Sequence, residues 1–485
     1  MSTPGTPLRP ATLAQSPIPD STANQRPDWP LLDTGEVLRR YRQRSLSPVE
    51  LTQAVLARID RHQPTHNAWR HIDHEGALAG AKASEQRWAQ GRPLGPLDGV
   101  PVGFKDLLHV RGWPTRKGSL ATSPRCQEED SPVAARLRET GAVFLGKTQT
   151  AEFGWTGLTE SELGGITRNA WHTDHASGGS SGGAAVAAAL GLGLQIGTDG
   201  GGSIRGPAAT NGVFGFKPSY GRVPGHPSAL NGNLFHIGPI TLTVTDAARL
   251  LNVVAWPDVR DWTSLPASDH NWLEDIADAQ TESLRGLRVA YAPTLYGIAV
   301  HAEIRAAVDR TVRRLADLGA QVRVVQPDIA NPEPILRVLA AERSQRLLRE
   351  VGPEGLQRVA PNIRAAVAQA ERYTLADVIE AHEQRAAFAV QWRRFFKDAD
   401  LLVTPVQSDL VPRVGTAPPV PFLGTFNLTQ QPAASAPIGL DSRGLPLAAH
   451  LVGGPWQDAV VLRASRALER AQPFPKIHLT GTKNA

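Results

Sequence analysis

The sequence predicts one large α/β domain, in which helices cover both faces of a mixed sheet and a helical cap is inserted into the second half. The first observation is the alternation of strand-like and helix-like segments, which is typical of layered α/β folds. The second is a hydrophobic content of 41% over 485 residues, ample for one extended core. The third is a long Arg- and Ala-rich stretch of helical period at 301–395. The length alone would also allow up to about three domains.

In the first half, the predicted elements follow one another in a regular order. We expect a disordered tail at 1–28, which is rich in proline and poor in hydrophobic residues, and ordered structure from about Trp29. Ser-Pro-Val-Glu at 47–50 is a helix start signal. GVPVGF at 99–104 is a predicted strand, and SPVAARLRETG followed by AVFLGK predicts a helix and then a strand.

The second half begins with a glycine-rich block. From Gly178 to Gly206 the chain carries eleven glycines, interrupted by the helix-like AAVAAALGLGLQI. A strand and a helix are predicted for ITLTVTDAARLLNVV, and further strands for LRGLRVAYAP and ADLLVTPV. The segment FLGTFNLTQQPAASAPIG is rich in loop residues. A final helix is predicted for QDAVVLRASRALERA. We therefore expect a domain over 29–485 with a core at about 95–255 and a helical insertion at about 265–395.

Composition and charge exclude several classes of function. The chain has 51 Lys and Arg against 46 Asp and Glu, a net charge of +5 that is spread along the chain, so no nucleic-acid partner is expected. A single cysteine, Cys126, can form neither an internal disulfide nor a multi-thiolate metal site. No run approaches about 18 apolar residues, and the N-terminal residues lack the apolar segment of a signal peptide. We expect a cytoplasmic protein that does not bind membranes.

A phosphate-loop pattern occurs at 141–148. Gly141-Ala-Val-Phe-Leu-Gly146-Lys147-Thr148 satisfies G-x-x-x-x-G-K-[ST]. A phosphate loop follows a strand and opens a helix, whereas here AVFL is itself the predicted strand and a helix precedes it. Lys147 would then lie at the end of a strand, so nucleotide binding is not expected.

A second pattern, G-x-S-x-G at 178–182, is typical of the nucleophile elbow of α/β-hydrolases and would make Ser180 the nucleophile. That motif needs a strand immediately upstream, but the preceding TRNAWHTDHASGG is a polar loop by composition. A triad with Ser180 would also need a later Asp and His. His450 is one candidate for the histidine, and no local pattern supports it, so this interpretation is the weaker alternative.

A third interpretation uses GGSSGG at 178–183, GTDGGGSIRGPA at 197–208 and Lys105 in VGFKDLL. Glycines at 200–202 allow backbone N–H groups to converge on one point, as an oxyanion hole requires, and Ser203 follows them directly. A serine nucleophile needs a base. Lys105 lies among Phe104, Leu107 and Leu108, an apolar setting that lowers the pKa of an amine and lets it act as one.

GGSSGG, GTDxGGSIRxPA and the upstream GVPVxxKD together resemble the amidase signature family, whose members hydrolyse or transfer amides through a Ser-Ser-Lys triad. The resemblance runs from about 35 to 470 and includes FNLTxxPAxSxPxG and LPLxxxLVGxPxxD near the C-terminus. It implies Ser203 as the nucleophile, Lys105 as the base and Ser180 as a bridging serine that follows a cis peptide after Gly179. The oxyanion hole that it implies consists of Gly200, Gly201, Gly202 and Ser203.

The chain departs from the family pattern in several places. The spacing between the two serines is one residue shorter than usual, TRNAW replaces TRNPW, and Gly200 stands where a larger residue is common. NLFHIGP at 233–239 differs from the SLDQ-GP sequence that is typical of the A subunit of glutamyl-tRNA amidotransferase, so this chain is not expected to be that subunit. The same difference is expected to place His236 near the entrance of the active site. Asp199 and Arg205 are expected to form a structural ion pair.

The expected substrate is a small amide, with an aryl or otherwise apolar group, cleaved without a cofactor. A carbamate is the nearest alternative, and an amidotransferase catalytic chain that needs a partner protein is another; a homodimer is left open. No metal is expected, since His172 and His175 form an HxxH pair on a polar loop without an evident third ligand. The expected substrate pocket is lined by Trp155, Thr156, Gly179, Leu234, His236, Phe426 and Asn427.

Overall fold

A computed structural model of the chain describes residues 29–277 and 283–477. The tail predicted at 1–28 lies outside the described residues. Helix formation at the start follows from local signals: Ser47 accepts the amide N–H of Glu50 and the Glu50 side chain accepts that of Ser47, so the predicted start signal is a complete capping box.

The helices alternate with the strands along most of the chain. They are α1 Thr34–Gln43, α2 Pro48–His66, α3 His74–Ala89, α4 Pro132–Glu139, α5 Gly182–Ala189, α6 Arg205–Asn211, α7 Val244–Val254, α8 Trp272–Asp275, α9 Ala302–Asp317, α10 Glu333–Leu356, α11 Pro361–Ala370, α12 Leu375–Phe395, α13 Thr425–Leu428 and α14 Asp458–Ala471. Short 3₁₀ turns occupy Trp29–Leu31, Glu152–Gly154 and Gly232–Leu234.

The strands form one large mixed sheet and a small hairpin. They are β1 Trp69–Ile72, β2 Pro101–Lys105, β3 Val143–Thr148, β4 Glu160–Ser161, β5 Gly165–Ile166, β6 Leu194–Asp199, β7 Phe214–Lys217, β8 His236–Thr241, β9 Arg288–Tyr291, β10 Gln321–Val324, β11 Leu401–Pro405, β12 Ala433–Leu440 and β13 Pro446–Gly453. In the described residues, eleven strands form the large sheet in the order β1-β3-β2-β6-β8-β7-β12-β13-β11-β9-β10, while β4 and β5 pair separately. The predicted α/β fold around a mixed sheet is confirmed.

Helices cover both faces of the sheet, as the alternation of side chains along β11 illustrates. Leu401 and Val403 join the core cluster that includes residues of α9 and α14, whereas Leu402 joins the cluster that includes Leu339 of α10 and Trp392 of α12. Successive strand residues point to opposite faces, so these clusters are the two layers of the fold. We refer to the helices α10 to α12 as the cap.

Several elements differ from the sequence expectation. Strand β9 confirms the strand predicted for LRGLRVAYAP, although it lies inside the stretch at about 265–395 that was expected to be a helical insertion. Strand β10 lies in the 301–395 segment of helical period, and both strands join the main sheet. The helices α10 to α12 occupy Glu333 to Phe395. The segment expected to be rich in loops contains β12, which pairs with β7 and β13 inside the sheet. Strand β12 is stabilised by pairing with strands that are distant in the sequence, and the local sequence pattern contains no signal of that pairing.

The two short motif matches behave as their context predicts. Residues 143–148 form strand β3 after helix α4, so the phosphate-loop pattern has the wrong order of elements, and Lys147 is fully buried beside Asp106 at 3.5 Å. The residues between β5 and α5, which precede Ser180, contain no extended strand, so the elbow pattern lacks its strand. None of the helices in the described ranges is long and apolar enough to cross a membrane.

Candidate active site

Lys105, the base predicted from the sequence, lies at the carboxyl ends of two neighbouring parallel strands. Strands β2 and β6 pair in parallel, with Phe104 opposite Ile196, so their carboxyl ends lie side by side. Lys105 ends β2, and its Nζ donates to Thr198 Oγ1 at 3.0 Å and to Ser180 Oγ at 2.7 Å. The carboxyl ends of parallel strands are where α/β folds commonly bind their ligands.

The environment of Lys105 favours a neutral amine. The side chain is fully buried, and this burial lowers the pKa of the Lys105 amine well below its usual range. Asp199 opposes the shift and the positive charge of Arg343 adds to it. The prediction that an apolar setting would depress the pKa of this lysine is therefore confirmed in direction.

Ser180 is held at the bend before helix α5. The peptide bond between Gly179 and Ser180 is cis, as the family resemblance implies. Gly179 packs directly on the backbone of the neighbouring segment, where a Cβ would lie 2.7 Å from the amide nitrogen of Leu158. Gly154 is also close, because a Cβ there would lie 3.2 Å from Ser180 Oγ. The hydroxyl of Ser180 thus contacts Lys105 and lies beside the 152–154 turn.

Ser203 follows the glycines at the end of β6 and is half-buried. The carboxylate of Asp199 shapes this loop by accepting the amide N–H groups of Gly202 at 2.6 Å and Ile204 at 3.2 Å. The Gly202 amide therefore points at Asp199, which differs from its expected place in an oxyanion hole. Within residues 29–277 and 283–477, the amides of Gly201 and Ser203 have no acceptor, and no hydrogen bond joins Ser180 to Ser203.

The predicted ion pair between Asp199 and Arg205 is confirmed and is fully buried. Arg205 Nε lies 2.9 Å from Asp199 Oδ2 and Nη2 lies 3.1 Å from Oδ1. Burial by itself would raise the pKa of Asp199, but the charge and hydrogen bonds of Arg205 hold it far below its usual range. Arg205 also donates to Asn427 Oδ1 at 2.7 Å and contacts His450 Nε2 at 3.0 Å. This network fixes the start of the loop that carries Ser203.

Three residues expected to line the pocket belong to this interior instead. Asn427 is fully buried and donates to Asp199, and Phe426 is fully buried against Trp392. His236 is 3% exposed, contacts the carbonyl oxygens of Leu234 and Asp199, and is not at the entrance. Their positions follow from β8, which pairs with β6 so that His236 lies opposite Asp199, and from α13, which contains Phe426 and Asn427.

The remaining expected pocket residues differ in exposure. Trp155, Thr156 and Leu234 are half-buried, whereas Gly179 is buried against the Leu158 backbone. Leu234 lines a cavity of about 160 Å³ together with Gly200 and residues of α10 and α12, including Arg343. Arg343 was not predicted from the sequence, because the helical period of the cap shows which positions are buried but not which of them face another element.

The histidine pair on the 167–177 loop has a third neighbour. His172, Asp174 and His175 each offer a ligand atom, and these atoms lie within 4.8 Å of one another. The expectation of no metal relied on the lack of such a neighbour, which the structure supplies in Asp174. Both carboxylate oxygens of Asp174 already have partners, with His175 Nδ1 at 3.0 Å and the Arg413 guanidinium.

Comparison with known proteins places this geometry in a family. A model of the Amidase family matches residues 50–462. The chain belongs to the amidase family. This amidase is 35% identical over 459 residues to a glutamyl-tRNA(Gln) amidotransferase chain of Chloroflexus aurantiacus, covering 88% of this chain and 93% of that protein. It is 33% identical over 465 residues to an acylamidase of Rhodococcus erythropolis, covering 91% and 96% respectively.

A solved structure agrees in fold. The crystal structure of a bacterial aryl acylamidase of the amidase signature family matches this amidase with a TM-score of 0.83 at 28% identity, covering 91% of this chain and 96% of that one. The chain is thus an enzyme that acts on the carbon–nitrogen bonds of amides, as the sequence predicts.

Proposed function

We propose that this amidase hydrolyses small amides through an acyl-enzyme on Ser203. The observation that carries the proposal is the contact of 2.7 Å between the Lys105 amine, whose pKa is lowered by burial, and the hydroxyl of Ser180. A lysine that keeps its proton could not act as the base, whereas a desolvated one can. In the proposed reaction, Lys105 accepts the proton of Ser180 as Ser180 accepts that of Ser203, and Ser203 Oγ attacks the amide carbonyl.

The resulting oxyanion would be held by backbone amides of the 200–203 loop. Gly201 and Ser203 offer amide N–H groups without a protein acceptor among the described residues, and the loss of one such donor typically costs about 3 kcal/mol in transition-state stabilisation. Ser180 then donates its proton to the departing amine as the C–N bond breaks, and Lys105 returns its proton to Ser180. Water cleaves the acyl-enzyme by the reverse relay, which regenerates the hydroxyl of Ser203.

The core at about 95–255 would supply the chemistry and the cap would select the substrate. Leu234 from the core and Leu336 and Leu339 from α10 give the cavity an apolar wall, which suits an aryl or otherwise apolar group. Trp155 and Thr156 are proposed to complete this wall on the side of Ser180.

Replacing the nucleophile tests this assignment. With a simple anilide as substrate, we expect Ser203→Ala to lower kcat/KM by about 10⁴-fold or more, with an unchanged thermal unfolding midpoint. Cys126→Ser is a matched control, because this exposed side chain lies outside the glycine block. Substantial activity in Ser203→Ala would overturn the role of Ser203.

A second candidate is an amidotransferase catalytic chain that needs a partner protein, which the 35% identity to a glutamyl-tRNA(Gln) amidotransferase chain favours. The purified chain alone separates the two, since a free-standing hydrolase turns over anilides without a partner. Matched aryl carbamates in the same assay test the urethane-cleaving alternative, because a carbamate presents the same carbonyl geometry.

A further inference from the structure

Arg343 of helix α10 lies at the cavity beside the proposed nucleophile loop. Its guanidinium carbon stacks 3.8 Å from the centre of the Trp155 ring, and Nη1 approaches the Trp155 carbonyl oxygen at 3.4 Å. It lines the cavity together with Gly200, and its charge lowers the pKa of Lys105. Arg343 is therefore close enough to the reacting groups to contact a substrate bound there.

The guanidinium of Arg343 lacks the hydrogen bonds that a buried cation needs. Nε and Nη2 are both buried without a hydrogen-bond partner, and Arg343 is the sole side chain with two such atoms in the part of the chain that the structure describes. Burial lowers the pKa of Arg343 to about 9, so the group still carries its charge at neutral pH. A buried cation without a partner is costly, because desolvation is not offset.

The charged residues near Arg343 do not neutralise its positive charge, because each of them has other partners. Glu342, the next residue along α10, pairs with His382 and lies 3.8 Å from Arg346. Arg385, a second cation on the cavity wall, already donates to the Leu428 carbonyl oxygen at 2.9 Å and to Asn233 Oδ1 at 2.6 Å. The cavity thus has an excess of positive charge at the guanidinium of Arg343.

The two unpartnered atoms form the edge of a guanidinium that binds carboxylates. Nε and Nη2 lie on the same side of the group and match the two oxygens of a carboxylate. This chain uses that edge in the same way elsewhere: Arg87 Nε and Nη2 bind Asp98 at 2.8 and 2.6 Å, and Arg205 binds Asp199 with the same two atoms.

We propose that Arg343 is a specificity-determining residue that binds a carboxylate of the substrate. The inference rests on the proposed function and narrows its substrate class to amides in which a short apolar segment separates the scissile carbonyl or nitrogen from a carboxylate. The leucines on the cavity wall contact the apolar segment, and the guanidinium pairs with its charged end.

Matched pairs of substrates test this class. The monoanilides of malonate, succinate and glutarate carry a carboxylate on the acyl side, and those of propionate, butyrate and valerate are their neutral counterparts; para-acetamidobenzoate and acetanilide form the corresponding pair on the amine side. We expect the wild type to prefer the anion in at least one pair by about 10- to 100-fold in kcat/KM, as hydrogen bonds to a charged group imply.

The variants separate recognition from structure. Arg343→Met keeps a long apolar chain over Trp155 and removes the charge, so kcat/KM for the anion should fall by about 10-fold or more relative to kcat/KM for its neutral counterpart. Arg343→Lys keeps the charge without the two-pronged edge and should restore part of the preference. An equal loss for both members of each pair, or no preference in any pair of the wild type, would overturn the proposal.

Binding without turnover distinguishes this inference from the proposed function. Ser203→Ala is titrated calorimetrically with the monoanilides of malonate, succinate and glutarate in turn, and the double variant Ser203→Ala/Arg343→Met is titrated in parallel. We expect affinity to fall by about 10-fold or more in the double variant. If no anilide is hydrolysed by the wild type but this difference in binding remains, the hydrolytic function fails and carboxylate recognition stands. Equal affinities in the two variants would refute recognition itself.

Discussion

Two arginines with buried guanidinium nitrogens differ in how their charges are satisfied. Arg205, in the core, binds Asp199, Asn427 and the Leu423 carbonyl oxygen, and no part of its side chain is exposed. Arg343, in the cap, stacks on Trp155 and leaves Nε and Nη2 without partners among the described residues. The same residue type therefore fixes the geometry of the loop in the core, whereas in the cap it leaves two hydrogen-bond donors without partners.

The largest expected effect comes from the chemistry on the core side. Lys105→Met replaces the proposed base by an apolar chain of similar length, so we expect kcat/KM for a neutral anilide to fall by about 10³- to 10⁴-fold. Stability should not fall, because a desolvated amine is removed without leaving a charged partner behind. Steady-state kinetics and urea unfolding of the same preparation measure both quantities.

Lys147→Met, at another fully buried lysine, is the matched control. Lys147 lies 3.5 Å from the carboxylate of Asp106, which would be left buried and unpaired. This variant should therefore lose stability, by about 3–5 kcal/mol. Full activity in Lys105→Met would refute the role of Lys105 as the base.

Removing each arginine tests the comparison directly. Arg205→Met leaves Asp199 charged and buried, so we expect the free energy of unfolding to fall by about 3–5 kcal/mol. Arg343→Met removes a cation that has no counter-charge, so its stability should stay within about 1 kcal/mol of the wild type or rise. Arg288→Met, in an exposed pair with Asp400, is the control, with an expected loss below about 1 kcal/mol. Equal losses in the free energy of unfolding for Arg205→Met and Arg343→Met would contradict the proposed difference between a paired arginine in the core and an unpaired one in the cap.

A smaller effect tests how closely the core holds Ser180. Gly179→Ala places a Cβ 2.7 Å from the amide nitrogen of Leu158, which should cost about 1–3 kcal/mol of stability, because the backbone must shift. Gly157→Ala is the matched control, since its Cβ would meet Ala417 Cβ at an ordinary 3.7 Å. Thermal and urea unfolding measure the difference, and equal stabilities would show that the segment yields easily.

The smallest effect links the two regions through charge. Activity on a neutral anilide should rise with pH as Lys105 loses its proton, and the positive charge of Arg343 lowers the pKa of Lys105. Arg343→Met removes that charge, so the pKa of Lys105 rises and the acid limb of the kcat/KM profile moves to higher pH. A limb that stays in place or moves to lower pH would show that Arg343 does not act on the base.

The sequence predicted the core side well, because its signals are local. Asp199, the glycines and Arg205 lie within a few residues of one another, and the apolar residues around Lys105 are its immediate neighbours in the chain. These short distances along the chain made the ion pair and the depressed pKa predictable. The layered fold followed from the same local alternation of strand and helix patterns.

The remaining features depend on contacts between distant segments. Asn427 meets Asp199 across 228 positions in the chain, so its burial could not be distinguished from a place on the pocket wall. Arg343 reaches Trp155 across 188 positions. The hydrogen bond from the Gly202 amide to Asp199 depends on the conformation of the loop, which cannot be predicted from the amino-acid composition of the loop.

The position of the acyl group tests the central claim most directly. The wild type is quenched during turnover of a slowly hydrolysed aryl ester of the same acyl group, and peptides from the digested protein are mapped by mass spectrometry. We predict that the acyl mass lies on the peptide containing Ser203, that fragmentation assigns it to Ser203, and that it is missing from Ser203→Ala. Acylation of Ser180 instead would contradict the assignment and favour the nucleophile elbow.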